Sequence, residues 1–252
     1  GIGGIVEVTV MQSTNYWKNA KQQGLPFTLD PRVTYRGYPS NCLNFVSVTV
    51  WQFAANGFIK KMITGGKQRK LSAVEEIGAG LGAGVSSAFM CSPLELIMVQ
   101  QQRKGTSFVN TLGSITSSGL INWGRGFWMT AMREGVYTAG YLGVTPVIRS
   151  AVSKRFPTWN EDVCRVIASC CGGAFSCYLS HPADTIKTCL QGDIERKRFT
   201  NHSNTASVLY KEAGIGAFYR GAPWRLFRQI GGMFLIDKIR VAVPPILFPH
   251  RF

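Results

Sequence analysis

The stretch SHPADTIKTCLQ, residues 180–191, places a proline, an acid and a base inside an otherwise apolar segment. Proline inside a helix removes one backbone hydrogen bond and bends the axis, so a kink is predicted at Pro182. Asp184 and Lys187 stand three residues apart and share one helix face. Because charges in an apolar helix are expensive unless they pair, this face is predicted to line a polar interior.

A sister stretch, CSPLELIMVQQQ at residues 91–102, repeats the pattern. It keeps Pro93, where a second kink is predicted, and Glu95, but Met98 stands where a base would match Lys187. Three landmarks recur at a similar spacing: TYRGYPS at 34–40, WGRGFWM at 123–129 and FYRGAPW at 218–224. The chain is therefore predicted to hold three repeats, each of two membrane helices and a short helix: residues 1–70, 71–158 and 159–252.

The composition favours a membrane protein. Only 16% of residues are charged, against roughly a quarter in soluble domains. Several apolar stretches approach or exceed the roughly 20 residues that cross a bilayer: 41–59, 73–99, 127–148, 162–186 and 222–248. The helical core of a soluble protein is the alternative.

The net charge of +15 could indicate nucleic acid or an anionic membrane surface. The basic residues cluster between apolar segments, at 60–70 and 194–199, which favours lipid head groups over nucleic acid. The seven cysteines have no metal-ligand spacing, so no metal site is predicted. No nucleophile with a base and no phosphate loop is found either, and an enzyme is not expected.

Around a threefold axis, the acid of each repeat can meet the base of the next, and the ring of pairs would close one end of a central cavity. PADTIK with the downstream EAGIGAFYRG (residues 212–221) resembles the mitochondrial carrier family, whose signature is Pro-x-[Asp/Glu]-x-x-[Lys/Arg] followed by aromatic-[Arg/Lys]-Gly. The likeness covers almost the whole chain. It implies an all-α, multi-pass protein of the mitochondrial inner membrane, with six helices in three pseudo-symmetric pairs and solute exchange by alternating access.

The resemblance also implies bound cardiolipin where the even-numbered and matrix helices begin, and no other cofactor. Helix N-termini offer free amide groups that suit a phosphate. The predicted lipid-binding residues are Arg36, Gly37, Arg125, Gly126, Arg220 and Gly221.

The first repeat departs from the signature. Aligned on Gln12, it has Gly3 in place of the proline, Ile5 at the acid and Val8 at the base, so no proline kink is expected there. The first helix is also expected to be truncated. The matrix gate is thus predicted to retain only three ionisable members, Glu95, Asp184 and Lys187.

The family's second gate is an aromatic-acid-x-x-base element near the end of each even-numbered helix. Counting from the Arg-Gly landmarks, Gly57 and Pro146 replace two of the acids, and Asp237 falls about one turn early. The predicted remnants of this cytoplasmic gate are Lys60, Arg149, Asp237 and Arg240.

The cavity positions are better kept. Eight residues after the landmark arginines come Asn44, Arg133 and Arg228, with Glu134 next to the second. These positions resemble the substrate contact points of the family. An Arg-Glu pair there resembles carriers of amino-acid-like solutes, and an arginine on the sixth helix suits an anionic group. The alternative is that Arg133 and Glu134 only neutralise each other.

Two functions remain open. One is a solute exchanger for an amino-acid-like or carboxylate metabolite. The other is a degenerate carrier kept as a scaffold subunit, with protein partners in a larger respiratory-type assembly. The two incomplete gates and the truncated first helix favour the scaffold, with little or no exchange expected.

Overall fold

The structure, a computed structural model, describes residues 2–67, 69 and 71–232. Within these ranges the chain is helical and has no strand, and the prediction of an all-α protein is confirmed. The helices are α1 Ile2–Gln23, α2 Pro31–Thr34, α3 Tyr38–Thr64, α4 Ala73–Lys104, α5 Phe108–Ser117, α6 Phe127–Thr138, α7 Thr145–Arg155, α8 Glu161–Gly192, α9 His202–Ala213 and α10, described over 222–232.

The helices follow one order three times: a long helix, a connection on one side, and a second long helix. By length and composition, and within the described residues, α3, α4 and α8 are long and apolar enough to cross a membrane. The first helix was expected to be truncated. In the structure α1 has 22 residues, which correspond to a rise of about 33 Å along the helix axis. The repeat boundaries stay a prediction.

Local sequence explains where the long helices begin and end. Ser72 caps α4 in a reciprocal arrangement with Glu75, and Asn160 caps α8 through its side chain. Pro93 lies inside α4 and Pro182 inside α8, as the signature requires. The connection in the first repeat differs, because the four-residue α2 stands where α5 and α9 have 10 and 12 residues.

A π-helical turn, Ala139–Val144, joins α6 to α7. The Thr145 backbone N–H bonds to the carbonyl of Gly140, five residues back. The next residue, Pro146, has no N–H to donate, so the break in the regular pattern falls where the helix would lose a bond anyway.

Glycine allows α4 and α6 to pack at very close range. A Cβ on Gly84 would come within 2.2 Å of the Glu134 carbonyl oxygen, and one on Gly135 within 2.8 Å of Val85. Small residues at helix contacts are typical of membrane bundles, because they let backbones approach. This packing fixes the position of Glu134, and with it one wall of the central cavity.

Candidate functional site

Six side chains meet around the bundle axis beside the two prolines. Lys18 Nζ lies 2.9 Å from Asp184 Oδ2, and Lys187 Nζ lies 2.9 Å from Glu95 Oε2. Both pairs join one repeat to another and are buried. At the third junction, the Asn15 side-chain amide donates to the Met98 sulfur at 3.4 Å. We call this set the proline-end ring: Asn15, Lys18, Glu95, Met98, Asp184 and Lys187.

The first repeat does supply a base, and the predicted alignment of that repeat is wrong. The ring takes its base from Lys18, ten residues after Val8. Counted from Lys18, Ser13 stands at the proline position, Asn15 at the acid and Gln22 at the closing glutamine. The alignment used Gln12 instead of Gln22. The signal that could have found the right register is the base itself, because Lys18 stands four residues before Gln22 whereas Val8 stands four residues before Gln12.

The landmark glycines support the corrected register. Gly37, Gly126 and Gly221 have left-handed backbone angles, with φ of 74°, 80° and 84°, which glycine adopts without strain. Each packs against the base position of another repeat: Gly37 on Met98, Gly126 on Lys187 and Gly221 on Lys18. A Cβ at Gly221 would lie 2.9 Å from the Lys18 carbonyl oxygen. The three contacts are equivalent, so Lys18 is the counterpart of Met98 and Lys187.

A second buried layer closes the ring from below. Gln22 Nε2 donates to Asp184 Oδ2 at 2.9 Å, and Asn19 Nδ2 donates to Gln102 Oε1 at 2.7 Å. Gln100 and Gln191 donate to backbone carbonyls of α8 and α4, respectively. These side chains are almost completely buried. The proline end is therefore sealed by hydrogen bonds as well as by charge.

Above the ring lies a cavity of about 640 Å³. The four predicted contact residues, Asn44, Arg133, Glu134 and Arg228, all line it. The structure therefore brings together residues that are up to 184 positions apart (44 to 228). The charged residues that line the cavity are Glu7, Lys18, Glu95, Arg133, Glu134, Arg225 and Arg228.

Arg133 links the cavity to the ring. Its guanidinium pairs with Glu134, lies 2.9 Å from Glu95 Oε2 and lies 3.6 Å from Asp184 Oδ1. Neutralisation by Glu134 is thus only part of its role, because the same group also contacts two ring acids. Glu134 in turn accepts a bond of 2.6 Å from Gln52.

Two arginines on α10 face Arg133 across the cavity. Arg228 Nε lies 3.2 Å from Glu7 Oε1. Arg225, which sequence reasoning missed, donates to Ser180 at 2.8 Å and has no carboxylate within 4 Å among the described residues. Its position three residues before Arg228, on the same helix face, was the available signal. Guanidinium groups bind carboxylates through paired hydrogen bonds, so this arrangement suits an anion with more than one carboxylate.

The opposite end of the bundle is organised differently. Lys60 pairs with Glu76, and Arg149 pairs with Glu161. The acids come from the first turns of α4 and α8, so the replaced acids at positions 57 and 146 are not needed for these pairs. The pairs join consecutive helices and do not cross the mouth of the cavity. Asp237 and Arg240 lie outside the described residues.

The three landmark arginines contact protein groups. Arg125 is buried and donates to the carbonyls of Leu190, Phe199 and Thr200, which stabilises the end of α8 and the loop after it. Arg220 lies 2.9 Å from Glu212, and Arg36 packs on Gly105. Any phosphate beside Gly126 would therefore rely on backbone amides, because the Arg125 side chain is occupied.

The loop that Arg125 supports is organised by Asp193. Burial raises the pKa of this carboxyl, but backbone N–H bonds from Phe199, Arg198 and Lys197, at 2.8, 2.7 and 3.2 Å, outweigh that effect and lower the pKa below its usual value. The carboxylate therefore stays ionised near neutral pH and holds the turn that follows α8.

Comparison with known proteins identifies the class. The sequence profile of the mitochondrial carrier protein family matches residues 69–156 and 159–236. These segments make up more than half of the chain, which belongs to the mitochondrial carrier family. It is thus a membrane protein of mitochondria and, as predicted, not an enzyme.

Several of its relatives are named as carriers of carboxylates. The chain is 27% identical over 259 residues to a probable mitochondrial 2-oxodicarboxylate carrier of Dictyostelium discoideum, covering 94% of this chain and 86% of the relative. It is 28% identical to mitochondrial 2-oxodicarboxylate carrier 1 of Saccharomyces cerevisiae, covering 64% of this chain and 54% of the relative. A putative tricarboxylate transport protein of Caenorhabditis elegans is 28% identical, with coverage of 80% and 68%.

These relatives contradict the scaffold prediction, since they are named as solute transporters. The physical reason for the error lies in the ring. The sequence indicates only one repeat with both an acid and a base. In the structure, Lys18 pairs with Asp184 and Glu95 pairs with Lys187, which gives two pairs between repeats.

Proposed function

We propose that this chain exchanges dicarboxylate or tricarboxylate anions across the mitochondrial inner membrane, as a multi-pass carrier that opens alternately to each side. The observation that carries the proposal is the cavity of about 640 Å³, which has arginines on two walls and the proline-end ring as its floor. The names of the relatives supply the substrate class.

The arrangement of the arginines explains how an anion would connect the repeats. Arg133 belongs to α6 in the second repeat, while Arg225 and Arg228 belong to α10 in the third. A substrate with two carboxylates can bind both walls at once, and each charge-assisted hydrogen bond contributes about 1.5–3 kcal/mol. A monocarboxylate can bind only one wall.

Substrate binding would also loosen the ring. A carboxylate on Arg133 competes with Glu95 and Asp184 for the same guanidinium. A ligand shifts a conformational equilibrium only through a difference in affinity for the two states. In this case the two states differ in the contacts of Arg133 with Glu95 and Asp184. A substrate bound to Arg133 removes these contacts and so weakens the closed proline-end ring.

A carboxylate substrate is favoured over an amino acid. Glu134 is the acid next to Arg133 that an ammonium group would need. It already pairs with Arg133 and accepts a bond from Gln52. Binding an ammonium would require breaking at least one of these contacts.

Anionic lipid belongs to the same proposal. Gly37, Gly126 and Gly221 precede α3, α6 and α10, and no side chain caps α3 or α6. Free amides at such helix ends suit the phosphates of cardiolipin.

Reconstitution into liposomes tests the proposal. The purified protein, with unlabelled 2-oxoglutarate trapped inside, is expected to take up labelled 2-oxoglutarate or citrate saturably, and glutamate poorly. Arg133→Ala is expected to lower this uptake about 10–100-fold, because a charge-assisted bond to the substrate is lost. Lys197→Ala, at a side chain that is 79% exposed, is the matched control and should leave uptake unchanged. Uptake of ADP alone, or of no anion, would refute the carboxylate assignment.

A further inference from the structure

Glu7 occupies an unusual place in the cavity. It is the only acid on α1 and is 4% exposed. Its Oε1 lies 3.2 Å from Arg228 Nε, and its Oε2 is buried with no hydrogen-bond partner among the described residues. The side chain packs against Gly232, where a Cβ would come within 2.9 Å of Glu7 Cγ. Glu7 is therefore a carboxylate held on an arginine that the substrate needs.

Arg228 is the one cation within 4 Å of Glu7 in the described part of the chain. The wall formed by α3 contributes only uncharged side chains to the cavity. The other titratable or charged groups that line it are Lys18 on α1, Glu95 on α4, Arg133, Glu134 and Tyr137 on α6, Tyr141 in the π turn and Arg225 beside Arg228 on α10. Among them, Lys18, Glu95, Arg133 and Glu134 are already in ion pairs with one another or with the ring.

Loading an anion on Arg228 would leave Glu7 without its cation. A buried, unpaired carboxylate costs on the order of several kcal/mol, and such groups take up a proton instead of staying charged. Resting on the proposed function, we infer that Glu7 binds one proton for each anion loaded on Arg228. Proton and anion would then cross together.

The exchange of partners is balanced. The Arg228 bond to Glu7 breaks, and the Arg228 bond to the substrate carboxylate forms. A proton from water on the open side binds to Glu7. On the other side the anion leaves, Glu7 returns its proton to water, and the pair with Arg228 forms again. No electron is transferred and no other reactant is required.

2-Oxoglutarate is a suitable probe, because simple carboxyls ionise near pH 4 and its charge is constant around neutrality. Binding to the detergent-solubilised full chain is followed by calorimetry in buffers of different ionisation enthalpy, at several pH values above neutral. The wild type is expected to take up about one proton per bound anion, and its Kd should fall about tenfold for each unit by which the pH is lowered. Glu7→Gln should take up no proton, and its Kd should not change with pH. Glu195→Gln, at an exposed acid, should match the wild type.

The outcomes separate the two proposals. If Glu7→Gln keeps the wild-type pH slope, another group takes up the proton and the inference fails. If the wild type has no slope but liposomes take up 2-oxoglutarate saturably, the inference fails and the proposed function stands. If no carboxylate binds or is transported, both fail. Should Glu7→Gln not fold, Glu7→Asp replaces it. A carboxylate that is one methylene shorter should keep the proton uptake, and its loss would overturn the inference.

Discussion

Both ends of the helix bundle carry ion pairs between repeats, but those at the proline end lie in a buried layer around the bundle axis, whereas those at the opposite end join consecutive helices nearer the surface. Side chains of the Lys18–Asp184 and Lys187–Glu95 pairs are at most 8% exposed. Those of the Lys60–Glu76 and Arg149–Glu161 pairs are 22–71% exposed. The same residue types therefore seal the axis at one end and tie neighbouring helices at the other.

The difference in burial sets the energetic scale. Removing one member of a buried pair leaves an uncompensated charge and costs about 3–5 kcal/mol. Breaking an exposed pair typically costs about 0–1 kcal/mol, because water and salt screen it. Substitutions at the two ends should therefore differ clearly.

The largest effect is expected from Asp184→Asn. It removes the acid that Lys18 and Gln22 contact and that Arg133 approaches, so Lys18 would be buried without a carboxylate. We expect a loss of about 3–5 kcal/mol of stability, measured by thermal unfolding in detergent, and loss of substrate exchange. Wild-type stability in this variant would show that the proline-end ring does not hold the bundle closed.

An intermediate effect is expected from completing the ring. Asn15 and Met98 occupy the third junction, and Asn15→Asp with Met98→Lys would place an acid and a base there. Met98→Lys alone adds a buried base without its acid and should destabilise, whereas the acid of Asn15→Asp would lie near Arg228, whose Nη1 donates to Asn15 Oδ1 at 3.5 Å, and should cost less. The double variant should recover about 0.5–3 kcal/mol relative to the sum of the single variants in a thermal double-mutant cycle, and should slow exchange. Additive destabilisation would contradict the pairing between repeats.

The smallest effect is expected from Glu76→Gln, which removes the partner of Lys60 at the opposite end. We expect a stability change below about 1 kcal/mol and exchange within about twofold of the wild type. A loss as large as that of Asp184→Asn would mean that the two ends are equally important for the closed state.

The fold was predictable because its strongest signal is local. PADTIK places a proline, an acid and a base on one helix, and the repeat of the landmarks fixes the architecture. The first repeat was not aligned correctly, since serine replaces proline at position 13 and two glutamines compete for the same role. Spacing alone could not choose between Gln12 and Gln22, whereas the contact of Gly221 with Lys18 does.

The site was predicted in part, for a related reason. Asn44, Arg133, Glu134 and Arg228 follow from counting along single helices, and they meet in the cavity. The pairs of Glu76 with Lys60 and of Glu7 with Arg228 join different helices, and no spacing within one helix indicates them. The prediction of broken gates has the same origin. It rests on the residues of the signature motif within each helix, whereas the stability of a gate depends on which charges of different helices face each other.

The π turn, Ala139–Val144, changes which face of the second helix of this repeat can line the cavity. An extra residue in a helix turns everything beyond it by about 100° relative to an uninterrupted helix. Tyr137, Tyr141 and Leu142 line the cavity, but none of the residues 145–155, all of which are described, does so. The cavity-lining face of this helix therefore ends at the π turn, and residues 145–155 do not line the cavity. The π turn therefore marks the upper rim of the cavity on this wall.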